Sequence, residues 1–127
     1  MKPNAKAPPR FLNLLRIHMP VTAVLSIGHR ISGALLGTAI PASIYLLDLS
    51  LQSPAGYDQV AQLMASPAAR LGTSLAVWAL AHHALAGVRY LLLDLQIGIA
   101  RPAAARSARF VSLGGIVIFL LTAGALL

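Results

Sequence analysis

Three apolar stretches, each long enough to cross a lipid bilayer, constrain this chain more than any other feature. Ile31 through Leu47 and Phe110 through Leu127 contain no charged side chain, and Leu71 through Leu93 contains one, Arg89. About 20 helical residues, rising about 1.5 Å each, cross a hydrocarbon core near 30 Å. Ile31–Leu47 reaches that length once its interfacial flanks are added. The first span is therefore read over about 21–51, the second over about 71–93 and the third over about 110–127. In hydrocarbon the backbone must satisfy its own hydrogen bonds, which makes each of these segments a helix. The expected fold class is all-α: an integral membrane bundle of three transmembrane helices forming a single membrane domain over 1–127.

Composition matters here for what it excludes. Charged residues make up 10% of the chain and the acids number three, Asp48, Asp58 and Asp94. A soluble domain carries about 25% charged residues, so a water-soluble surface could not be covered. The net charge of +7 could suggest nucleic acid. The front cations, however, are interleaved with Pro3, Pro8 and Pro9 and lead straight into apolar sequence, so no nucleic-acid partner is expected. With no cysteine there is no disulfide framework, iron–sulfur ligation or thiol chemistry in the chain itself. The first apolar run starts late and lacks a small-residue cleavage site after a short core, so a cleavable signal peptide is not expected.

The cations also set the orientation. Lys2, Lys6, Arg10, Arg16 and Arg30 precede or open the first span, Arg70 alone closes the first connection, and Arg101, Arg106 and Arg109 fall in the second. Positive charge is retained on the cytoplasmic side, so the amino terminus and second connection are expected there, and the first connection outside. Residues 1–20 read as a basic tail followed by a short amphipathic interfacial segment over Phe11–Met19, which Pro20 ends. Pro41 is expected to kink the first span. Between the first two spans, Ser53-Pro54-Ala55-Gly56 is turn chemistry, and Asp58–Met64 has the character of a short surface helix. Arg101, Pro102, Arg106 and Arg109 read as loop.

Ionisable groups within a membrane span are costly and mark candidate sites. His83 lies about 15 Å from the Asp94 end of the second span. An imidazole at that depth can ligate heme iron, or simply hydrogen-bond a neighbouring helix. Gly87, at i+4, shares its face and would let a flat macrocycle lie against the backbone; alternatively it is a helix-contact glycine. Asp94 marks the end of that face. His82 and Arg89, seven apart, share a neighbouring face. His82 reads as structural or interfacial. Arg89 could pair with a heme propionate, an acid of another subunit or a lipid phosphate, and both Arg89 and Arg30 could equally be snorkelling anchors.

A second cluster spans Ser26-Ile27-Gly28-His29-Arg30-Ile31-Ser32-Gly33. Ser26 and Arg30 are i and i+4, so a hydroxyl and a guanidinium project from one face near the membrane surface. Such a pair suits a quinone carbonyl or a carboxylate, or is a polar helix start at the interface. Gly28, Gly33 and Gly37 suit close helix packing.

These residues resemble a known family. Ser26 through Gly33 resembles the S-x-x-H-R-x-S-G signature of the cytochrome b subunit of succinate dehydrogenase. His83 through Asp94 resembles its second signature, H-x-x-x-G-x-R-H-x-x-x-D. Both occur in order and on the expected spans, and the resemblance covers about residues 11–127. It implies a chain that is not an enzyme by itself but a membrane-anchor subunit of a succinate:ubiquinone oxidoreductase. Its implied partners are a flavoprotein subunit, an iron–sulfur subunit, a second small anchor subunit and the lipid bilayer. Implied too are heme b, shared with the second anchor, and ubiquinone as substrate. Carried over residue by residue, His83 matches the axial ligand to heme iron, with the opposite ligand from the second anchor. Ser26 and Arg30 match quinone-pocket residues. Arg30, His29 and Arg89 are the further cofactor-binding candidates. The implied location is a bacterial inner membrane, or its mitochondrial equivalent.

One departure is Tyr90, where the family motif often has histidine; a tyrosine donates one hydrogen bond but carries no cation, which puts a propionate contact there in doubt. The alternatives are a quinone-binding anchor without heme and the anchor of a fumarate reductase. A small transport or channel subunit is a third class, against which stands the lack of any acid deep in a span.

Overall fold

The computed structural model describes residues 18–127, so the basic tail and Phe11–Ile17 of the expected interfacial segment lie outside the described residues. The described chain forms four helices: α1 (Val21–Gln52), α2 (Pro54–Ala65), α3 (Pro67–Asp94) and α4 (Arg101–Leu126). Three of these, α1, α3 and α4, are long and apolar enough to cross a membrane. The chain is a multi-pass membrane protein with an all-α, three-span bundle. At 32 residues α1 is about 48 Å long, well beyond a hydrocarbon core of about 30 Å, so its polar ends have room to reach both interfaces. It runs unbroken through Pro41.

Helix boundaries follow local chemistry. Ser53 and Ser66 cap α2 and α3, their side chains accepting from the backbone N–H of Gly56 (3.0 Å) and Ala69 (3.2 Å). Pro54 and Pro67 follow at the first helical positions, where a missing N–H costs nothing. The Ser53–Gly56 segment is thus a helix start, and the connection between α1 and α2 shrinks to Ser53. Gly56 is buried, and a Cβ there would run into the carbonyl oxygen of Leu49, so only glycine lets α2 fold back this tightly on α1. At the other end of α3, Gln96 takes a left-handed φ of 63°, with Ile97 N–H bonded to Leu92 C=O and Gln96 N–H to Leu93 C=O, both at 2.9 Å. This double bond pattern is a Schellman stop.

The second connection is also shorter than the sequence suggests. Arg101, Pro102, Arg106 and Arg109 occupy the first turns of α4, not a loop. Pro102 suits a helix start, and Ala103–Ala105 are strong helix formers, so the helix begins ahead of the apolar stretch. The basic residues stay at the same end of the bundle, on helix instead of coil.

Packing is inverted relative to a soluble bundle. The buried apolar residues are small, Ala79, Ala86 and Ala108 with Leu25, while Ser32, Ser74, His82 and Arg89 are buried among them. Large side chains such as Ile40, Ile44, Leu80, Val88, Phe110 and Leu121 are exposed, as lipid-facing residues should be. Small residues let membrane helices approach closely, and interhelical hydrogen bonds add to their association. Central in the bundle, α3 packs against each of the other helices. At its start Arg70 donates from Nη1 to the carbonyl of Leu126 (3.0 Å), tying α3 to the end of α4.

Candidate functional site

Two adjacent histidines of α3 diverge because successive helical residues are turned by about 100°. His82 points into the crossing of all three spans. Its ring stacks on Trp78 (centroids 5.4 Å apart, planes 24° apart) and lies between two glycines of the flanking helices. A Cβ on Gly28 of α1 would sit 2.8 Å from its Nε2, and one on Gly115 of α4 would sit 3.0 Å from its Nδ1. His82 is 5% exposed, and its Nε2 has no hydrogen-bond partner among the described residues. A macrocycle could not reach this imidazole without parting the helices.

His83 faces α1 and is half-buried. Its ring stacks on His29, with centroids 4.0 Å apart and planes 10° apart. Beneath it Gly33 provides the floor, where a Cβ would lie 2.9 Å from Cε1. Nδ1 is 3.1 Å from the His29 carbonyl oxygen and 3.2 Å from Ser32 Oγ. A carbonyl can only accept, so Nδ1 is the protonated ring nitrogen and donates to it. Nε2 is then left with a bare lone pair, the form in which a histidine ligates a metal.

His29 itself lies over Gly87, where a Cβ would be 3.9 Å from its Nε2. The bare backbone at Gly87 that the sequence offers to a macrocycle is, in the chain alone, covered by an imidazole of α1. Tyr90 meets His29 edge-on (5.2 Å, 69°), and its buried hydroxyl has no hydrogen-bond partner among the described residues. Tyr90 also packs against the cluster of Leu25, Ala86 and Ala108.

Arg89 is turned the other way. It is 6% exposed, and donates from Nε to Ser107 Oγ (2.9 Å) and from Nη2 to the Ala104 carbonyl (3.1 Å), both on α4. Its guanidinium also lies 5.5 Å from the centre of the Tyr90 ring. Ser26 is half-buried and Arg30 exposed, one turn apart on α1. The structure thus brings His29 and His83 together, keeps Ser26 and Arg30 on the same helix as His29, and commits Arg89 to α4.

Sequence reasoning missed Ser32 as a partner of His83, because 51 residues separate them. Its spacing of three from His29 was visible, but reach to α3 was not. Trp78 was missed for the same reason. At the far end of the bundle a groove of about 400 Å³ runs between α1 and α3, lined by Leu36, Ile40, Ile44, Thr73, Val77 and Leu80 among others. It is almost wholly apolar and carries no titratable group.

Residues 4–122 match the family described as the succinate dehydrogenase/fumarate reductase transmembrane subunit. The chain is 40% identical over 96 residues to the succinate dehydrogenase cytochrome b556 subunit of Coxiella burnetii, covering 72% of this chain and 74% of the relative. It is 29% identical over 104 residues to the subunit of the same name from Paracoccus denitrificans, covering 82% of this chain and 80% of that one.

Proposed function

The chain belongs to the succinate dehydrogenase/fumarate reductase transmembrane subunit family, and from that premise we propose that it helps hold heme b and forms part of a ubiquinone-reducing site in a succinate dehydrogenase. The observation that carries this reading is His83, with Nδ1 bonded to the His29 carbonyl and Nε2 without a hydrogen bond among the described residues. The residues fit the group: a neutral imidazole oriented by a backbone carbonyl is the usual form of a metal-ligating histidine. His83 would hold the heme iron together with a ligand from a second anchor subunit. Heme b, when bound, supplies a one-electron store.

The chain's other polar groups have separable tasks. Ser26 would donate its hydroxyl to a quinone carbonyl. Arg30, exposed one turn on, would stabilise the negative charge that develops on reduction, as a fixed cation does without reorganising. A site close to the interface can draw the two protons of quinol formation from water. Arg30 and His29 are the better-placed donors to a heme propionate, because two donors of Arg89 already serve α4. By the positive-inside rule, the amino terminus and the α3–α4 connection lie in the cytoplasm of a bacterial inner membrane or the equivalent side of a mitochondrial one. The chain would work with a flavoprotein subunit, an iron–sulfur subunit and a second anchor. Both relatives named above are succinate dehydrogenase subunits, which supports succinate oxidation over fumarate reduction as the direction.

The test is a dithionite-reduced minus oxidised visible spectrum of the purified complex, wild type beside His83→Ala. A b-type signal in the wild type that disappears in the variant is the expected result. A wild-type complex with no b-type signal would make the chain a quinone-binding anchor without heme. A variant with an unaltered signal would move the ligand away from His83.

A further inference from the structure

We propose that Ser32 is a positioning residue for His83: its hydroxyl sets the ring plane and the electron donation of the imidazole toward the bound heme iron. The inference rests on the reading of His83 as the iron ligand. Ser32 is 0% exposed, so its hydroxyl belongs wholly to the inside of the α1–α3 contact. Oγ donates its own proton to the carbonyl of His29, 2.9 Å away and three residues back. That commitment leaves Oγ with acceptor lone pairs only, and one of them faces His83 Nδ1 at 3.2 Å.

His83 Nδ1–H therefore meets two acceptors at once, the His29 carbonyl at 3.1 Å and Ser32 Oγ. A single acceptor would fix the direction of the N–H bond but leave the ring free to rock about it. Two acceptors at one proton, with Gly33 below the ring and the His29 imidazole stacked on its face, leave one orientation. The three groups also polarise one another, since a hydroxyl that donates becomes a better acceptor. Donation from Nδ1–H gives the imidazole more anionic character and makes Nε2 more basic. A more basic ligand favours the ferric state, so loss of Ser32 Oγ should raise the heme midpoint potential.

Ser32→Ala removes the acceptor. Ser32→Cys retains the volume with only a weak acceptor, and Ser32→Thr retains the hydroxyl. All three are made in the full complex beside wild type, His83→Ala and Ser43→Ala. Ser43 is an exposed serine of α1 that donates to the Ala39 carbonyl (2.8 Å) and has no histidine to serve. The readouts are the largest g value of the oxidised low-spin heme, its midpoint potential and heme retention on dilution. Ala and Cys are expected to shift the g value and raise the potential, with heme affinity about tenfold weaker. Thr is expected to restore all three and Ser43→Ala to match wild type. If either the Ala or the Cys variant keeps the wild-type g value and potential while His83→Ala loses the heme, Ser32 has no positioning role and His83 remains the ligand. Equal shifts in Ser43→Ala would also overturn the assignment. A normal spectrum in His83→Ala would remove the ligand reading itself, and this inference with it.

Discussion

His82 Nε2 is aimed at the bare Cα of Gly28, so close that a Cβ there would stand 2.8 Å away. Adjacent His83 instead lies on Gly33 of the same helix. Two glycines five residues apart on α1 therefore receive the two neighbouring histidines of α3, one of them enclosed and the other half-buried.

Gly28→Ala should destabilise the bundle. The ring it would strike is wedged against Gly115 and Trp78 and has nowhere to retreat, and overpacking of this kind costs about 1–3 kcal/mol. Thermal inactivation of the detergent-solubilised complex should show a lowered midpoint. Adding His82→Ala should recover part of the loss, because the clash goes with the ring. A double variant no more stable than Gly28→Ala alone would contradict the wedge.

Gly33→Ala and Gly37→Ala form a contrasting pair. At Gly33 the new methyl would press on His83 Cε1 from 2.9 Å, whereas at Gly37 nothing among the described residues lies within 4 Å. The first should perturb the visible spectrum of the bound heme and the second should leave it unchanged. Identical spectra in the two variants would contradict the geometry.

Arg30→Ala and Arg89→Ala should fail in different assays. Arg30 is exposed, and in its proposed role at the quinone site its loss should cut quinone reduction by about 100-fold, the scale of one lost charge-stabilising donor, while succinate oxidation by an artificial acceptor persists. Arg89 is buried and ties α3 to Ser107 and Ala104 of α4. Its removal should lower assembled complex in the membrane, since each hydrogen bond of a charged group contributes about 1.5–3 kcal/mol. Equal loss of both succinate activities in Arg30→Ala would place that residue outside the quinone site.

Orientation can be read from reporter fusions within α2 and within the Leu95–Ala100 connection. A periplasmically active reporter should work when inserted in α2 and stay silent between α3 and α4. The reverse pattern would invert the bundle.

The three spans, the polar clusters on two of them and the bias of positive charge to one end are all legible in the sequence. Each depends on quantities that add up along the chain: hydropathy over about 20 residues, charge per connection, and side-chain spacing on one helix. The caps of α2 and α3 are Ser-Pro pairs, and Ser53-Pro54 reads as turn chemistry in the sequence because a serine–proline step serves a turn as readily as a helix start. The start of α4 at Arg101 was harder to read, because charged residues on a helix extending out of the bilayer resemble a loop in a hydropathy profile.

Tertiary structure decided which face of α3 meets which helix. A turn of about 100° separates His82 from His83; register with Gly87 and Asp94 singles out His83 as the ligand candidate, but not which helices close around His82. Contact with Gly28 and Gly115 encloses the first; the His29 carbonyl and Ser32 hydroxyl, more than fifty residues away in sequence, orient the second. Arg89 likewise finds its partners only because α4 runs back along α3. Local periodicity places a side chain on its own helix, but the hydrogen bonds it makes depend on distances that exist only once helices pack.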